Sequence, residues 1–169
     1  MGSHTALTGR TVNATGGGMS RVTVTRTIEA HVSDVWRLLT DVTVRTGSGQ
    51  VLTTGEFGPG TAWREVRSQP DGSALIEEFV VVAAEPPHRL VLSSPGTEVD
   101  YRVTWTLCPA RRRGQCGTVV TVTQEAIAST VFGRIVTFLL GGLAARAVER
   151  ALRRDLVELA AATHTDTAA

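Results

Sequence analysis

Apolar residues recur at helical spacing through Phe132, Val136, Leu140, Ala144, Val148, Leu152, Leu156 and Leu159, and Thr130–Ala162 contains no proline. That pattern predicts one long helix of roughly nine turns at about 3.6 residues per turn. Its second half sets Arg146, Glu149, Arg150, Arg153, Arg154 and Glu158 opposite the apolar stripe, with Glu149–Arg153 and Arg154–Glu158 at i,i+4 spacing. The first half differs. From Val131 to Ala145 only Arg134 and Thr137 interrupt an apolar run, and Gly141-Gly142 lies inside it. A helix apolar on every side needs cover on every side.

The cover is predicted upstream, where the period changes from 3.6 to 2. Val22, Val24 and Ile28 alternate with threonines across Arg21–Ala30, which predicts a half-buried strand. Arg26 falls on the apolar side of that strand, as a polar group at a cavity or as an edge residue snorkelling to solvent. Ser33–Asp41 predicts a short helix capped by Ser33, with Val35, Leu38 and Leu39 as its stripe. Six further strands are predicted: Val51–Phe57, Thr61–Ser68, Ser73–Ala84, His88–Ser94, Glu98–Leu107 and Thr118–Glu125. Gly58-Pro59-Gly60 and Pro70-Asp71-Gly72 supply turns between them. The cleanest alternation is Val99, Tyr101, Val103, Trp105, Leu107 against Asp100, Arg102, Thr104, Thr106. About seven antiparallel strands and a long last helix make an α+β domain, helix packed on sheet.

The 169 residues fit one domain. We expect residues 20–163 to form it, residues 1–19 to be a flexible glycine-rich tail, and residues 164–169 to be a disordered one. Met1-Gly2-Ser3-His4 resembles an expression-tag remnant, and Met19 is a plausible natural start. A net charge of +1 argues against a nucleic-acid binder driven by a basic face. All 17 basic residues are arginine, which removes lysine Schiff-base chemistry. Cys108 and Cys116 flank Pro109–Gln115 and either face one another across a hairpin or remain free thiols. Two cysteines without neighbouring histidine make no metal site, and no cofactor motif is present. Met1–Gly18 has no apolar signal segment, and Val131–Ala145 is about five residues too short to span a bilayer. The expectation is a cytoplasmic protein with no stable membrane insertion.

Several motifs together resemble the START-like superfamily, also called SRPBCC or polyketide cyclase/dehydrase-like. They are Ile28-Glu29-Ala30 four residues before Val35-Trp36, Gly58-x-Gly60-Thr61 before Trp63-Arg64, Glu85-Pro86-Pro87-His88-Arg89-Leu90, and Tyr101-x-Val103-x-Trp105-x-Leu107. The resemblance covers Ser20 to about Ala162. It implies a helix-grip fold, in which a curved antiparallel sheet holds the last helix around an apolar cavity. Two features depart from the family: Thr43–Gln50 carries neither Trp nor Pro, where many members carry both. Phe79–Ala84 is wholly apolar, where aromatase/cyclase members carry polar residues including an arginine.

On that fold the expected cavity walls are Trp63, Glu65, Phe79, Val81, Tyr101, Val103 and Trp105 from the sheet, with Phe132, Val136 and Leu140 from the helix. The expected partner is a small apolar molecule such as a lipid or polyketide, held by burial with one or two polar anchors. The alternative is a polyketide aromatase/cyclase. Aldol-type cyclisation needs an acid or base within reach of the substrate and a donor for the developing oxyanion. Arg26, Trp63, Arg64, Glu65, Glu77, Glu78, His88 and Tyr101 are the possible players, with Glu65 and Tyr101 the catalytic candidates, each either inward or on the wet face.

Overall fold

The computed structural model describes residues 11–15, 19–43, 49–53, 55–68, 73–96, 99–112, 115–128 and 131–166, with 11–15, 19–20, 67–68, 75, 112, 115, 128, 131–144 and 164–166 as backbone. The strands are β1 (Thr11–Thr15), β2 (Met19–Ile28), β3 (Gln50–Val51), β4 (Ala62–Ser68), β5 (Ala74–Glu85), β6 (Arg89–Ser94), β7 (Val99–Arg112) and β8 (Gln115–Ala128). Helix α1 (Val32–Thr40) follows β2, and α2 (Val131–Asp166) ends the chain. The strands form one curved antiparallel sheet in the order β1-β2-β8-β7-β6-β5-β4-β3. Chain order reverses where β2 pairs with β8, so the first long strand and the last lie side by side.

Alternation decides which face each strand buries. On β2, Val22, Val24 and Ile28 are buried, and their neighbours on β8 include Val120 and Val122. On β7, Val103, Trp105 and Leu107 continue the same face. The outer face of these strands carries threonine. Thr23 pairs with Thr123 and Thr25 with Thr121, hydroxyl to hydroxyl at 3.0 and 3.1 Å. Helix α2 packs on β2 and β8, and α1 packs against α2, β7 and β8. Leu152, Leu156 and Ala160 join Val22, Val24, Ile28 and Val35 in one core. The i,i+4 pair Glu149–Arg153 forms on the exposed side of α2, at 2.7 Å.

Several expectations change. Thr11–Thr15, assigned above to a flexible tail, pairs with β2 from Thr11↔Thr23 to Thr15↔Met19. Ladder pairing needs only backbone groups, so a polar segment can join an edge without apolar side chains to bury. The strand expected over Val51–Phe57 is the two-residue β3, and Gly55 (φ 121°) turns the chain out of extended geometry. The loop after it is stitched to β5: Gly60 N–H donates to the Val81 carbonyl and Val81 N–H to the Thr61 carbonyl, both at 2.8 Å. The cap of α1 is His31 rather than Ser33, its Nδ1 accepting from the Ser33 N–H at 3.4 Å and contacting the Ser33 hydroxyl at 2.8 Å. Strands β7 and β8 run on beyond the expected hairpin arms to Arg112↔Gln115. Cys108 consequently lies opposite Val119 and Cys116 opposite Arg111, so the two free, exposed thiols do not face each other.

Candidate functional site

The inner face changes character from one side of the sheet to the other. Toward β4 and β5 the buried side chains become large and aromatic. Trp63 is fully buried and stacks on Phe79, ring centroids 5.8 Å apart, because Trp63 and Phe79 are register partners. Phe79 and Val81 point inward and Val82 outward by ordinary alternation. A bulge between Val81 and Ala83 then shifts the parity, so that Ala84 comes opposite the buried Leu90 and packs against the core.

Glu65 lies two residues beyond Trp63 and shares its face. Only 6% of it is exposed, and its Oε1 accepts a 2.9 Å hydrogen bond from the Trp63 indole Nε1–H. A buried carboxylate without partners would cost several kcal/mol, and a hydrogen bond to a charged group returns about 1.5–3 kcal/mol. Its register partner is the half-buried Glu77, so β4 and β5 bring two carboxylates to one side. Arg64 and Glu78 take the opposite parity and pair with each other at 3.1 Å on the outer surface. That arrangement removes both from the inner face. His88 is exposed in the β5–β6 turn, where its Nδ1 lies 3.2 Å from the Leu107 carbonyl.

Of the wall residues expected from the sequence, Trp63, Glu65, Phe79, Val81, Val103 and Trp105 are all buried. Tyr101 has the inner-face parity of Val103 and Trp105 but is 37% exposed. It lies near the start of β7, opposite Ser94 at the end of β6, where the sheet runs out. Phe132, Val136 and Leu140 belong to the stretch of α2 whose side chains lie outside the described residues. Inner-face polar residues passed over above include Ser94 and Thr118, which are buried, and Gln124, which is half-buried. The available signal was parity, since Gln124 falls in step with Val120, Val122 and Ala126.

Among the described residues no three His, Cys, Asp or Glu side chains gather into a metal-binding group. No helix of the described residues is long and apolar enough to cross a membrane.

A model of the family described as polyketide cyclase / dehydrase and lipid transport matches residues 19–163. No curated protein matches the sequence. Solved structures do share the fold. A Rhodobacter sphaeroides protein is 23% identical, with a TM-score of 0.56 over 90% of this chain and 99% of its own. A Staphylococcus aureus protein of unknown function is 10% identical, with a TM-score of 0.67 over 89% of this chain and 97% of its own. The di-domain ARO/CYC BexL of the BE-7585A biosynthetic pathway is 18% identical, with a TM-score of 0.60 over 89% of this chain and 50% of its own.

Proposed function

The chain belongs to the polyketide cyclase/dehydrase and lipid transport family, and from that premise we propose that it binds a small apolar molecule such as a lipid or polyketide. The ligand lies between the inner face of the sheet and α2, with Trp63, Phe79, Val81, Val103 and Trp105 toward it and Tyr101 at the rim. One observation carries this reading: the buried aromatic wall is interrupted by a carboxylate, Glu65, held by the Trp63 indole. A wall built only for stability gains nothing from a charge, because an apolar residue of similar volume avoids the desolvation cost. A ligand site does use such a group, since a few fixed polar atoms in an apolar surround orient the guest.

A guest hiding a few hundred Å2 of apolar surface gains several kcal/mol at about 25 cal/mol per Å2, before the cost of association. The test is native mass spectrometry of protein purified from its own host, together with a thermal-shift screen of lipids and aromatic polyketides. A co-purifying small molecule, or a raised melting temperature with apolar ligands, supports the reading. A clean apo mass with no shift across the screen removes it.

A second reading, an aromatase/cyclase, is favoured by the same carboxylate and by the likeness to BexL. In it Glu65 takes a proton from a carbon between two carbonyls. The resulting carbanion forms the ring C–C bond at a third carbonyl, whose π bond opens to an alkoxide, and the proton held by Glu65 returns to that oxygen. Glu65→Gln then abolishes cyclised product while ligand binding survives. Unchanged turnover takes Glu65 out of the chemistry.

A further inference from the structure

We propose that Arg26 is a carboxylate anchor, and that the molecule held by this fold is an apolar acid rather than a neutral lipid. The inference rests on the ligand-binding reading above and names its ligand class. Arg26 sits in mid-β2 between Val24 and Ile28 on the buried parity, opposite the fully buried Val120. Its Nε has no solvent contact and no hydrogen-bond partner among the described residues. The residue as a whole is half-buried, so the guanidinium leaves an apolar floor with its root dry.

No acid is placed to meet it from its own part of the sheet. The inner-face positions of β2 are Val22, Val24, Arg26 and Ile28. Those of β8 are Thr118, Val120, Val122, Gln124 and Ala126, and those of β7 include Tyr101, Val103, Trp105 and Leu107. None is a carboxylate. Thr118, the nearest polar neighbour along β8, donates its hydroxyl to the Ala30 carbonyl at 2.8 Å. The inner-face carboxylates Glu65 and Glu77 lie on β4 and β5, and four strands separate β4 from β2. That separation is roughly 24 Å along the sheet at about 4.8 Å per strand.

An N–H donor buried without a partner is unfavourable, and an arginine amid valines is rarely kept without a use for its charge. Neighbouring atoms close off Nε, so the reachable donors are the two Nη groups, whose end-on fork a planar carboxylate fills with two charge-assisted bonds. A neutral hydroxyl fills one arm and gains no charge. The acid's apolar body would then run along the inner face toward Trp63 and Phe79, leaving Glu65 for the far end.

The experiment measures affinities of the full chain for two matched pairs, dodecanoate with dodecan-1-ol and 2-naphthoate with 2-naphthylmethanol, by calorimetry. Wild type should favour the acid of a pair by about tenfold or more. Arg26→Met should erase that preference by weakening the acid while leaving the alcohol unchanged, and Arg26→Lys should restore part of it. Equal binding of acid and alcohol to wild type overturns the anchor and leaves the ligand reading standing. Failure of all four probes to bind counts against both. The unliganded Arg26→Met variant should melt no lower than wild type, since the arginine's Nε–H is unbonded. A fall of more than about 5 °C makes Arg26 a structural partner of α2 and overturns the anchor. Should that variant not fold, the wild-type comparison of acid with alcohol still decides.

Discussion

The two ends of the inner face are made of different materials. At β2 and β8 the buried side chains are branched and compact, Val22, Val24, Ile28, Val120 and Val122, and Leu152, Leu156 and Ala160 of α2 share their core. At β4 and β5 they are broad and flat, Trp63 on Phe79, with a carboxylate set beside them. Small β-branched residues mesh with a helix surface, as a stable helix–sheet contact requires, and Arg26 is the one charged residue among them on the inner face of β2. Broad rings with a hydrogen-bonded charge make a poor seam between two elements and a good wall for a guest. On the ligand-binding reading proposed above, one continuous core is divided between a helix contact at β2 and β8 and a wall for the guest at β4 and β5. The division follows side-chain shape and polarity, since burial is nearly the same at both ends.

The strongest attempt to break the contrast is Leu156→Ala, at the end assigned to stability. Leu156 is 1% exposed, and its truncation should cost about 2–5 kcal/mol in urea unfolding. A loss below about 1 kcal/mol would mean that the second half of α2 is not what holds the sheet.

The next test addresses the recognition end. Trp63→Phe keeps the aromatic stack and removes the indole donor to Glu65, for an expected loss of about 1–3 kcal/mol. Adding Glu65→Gln to that background should recover part of the loss, because the neutral amide tolerates burial better. A double-mutant cycle on chemical denaturation reads the coupling directly. Strict additivity would show that the 2.9 Å bond contributes nothing.

The smallest effect belongs on the outer face. Thr25→Val removes one hydroxyl of the Thr25–Thr121 pair but keeps the β-branched shape, so the midpoint of unfolding should move by no more than about 0.5 kcal/mol. A larger shift would mean that the threonine face supports the sheet as much as the buried side does.

The sequence alone determined the elements and the sides they bury, because period and parity are local properties of a chain. The helix read over Thr130–Ala162 is Val131–Asp166, and the alternation of Val99 to Leu107 is the inward face of β7. The inward choice of Glu65 was legible only as an alternative: parity placed it with Trp63, but nothing in the pattern said which side of β4 was dry. Only the fold could decide that, since burial depends on what packs from elsewhere in the chain. The same holds for Thr11–Thr15, whose strand exists because the free edge of β2 accepts it, and for Cys108 and Cys116, whose separation follows from the β7–β8 register. Arg26 joins both kinds of knowledge. Its place among valines is written in the sequence, while its buried, unbonded Nε is known only once β8 lies against β2 with α2 packed over both strands.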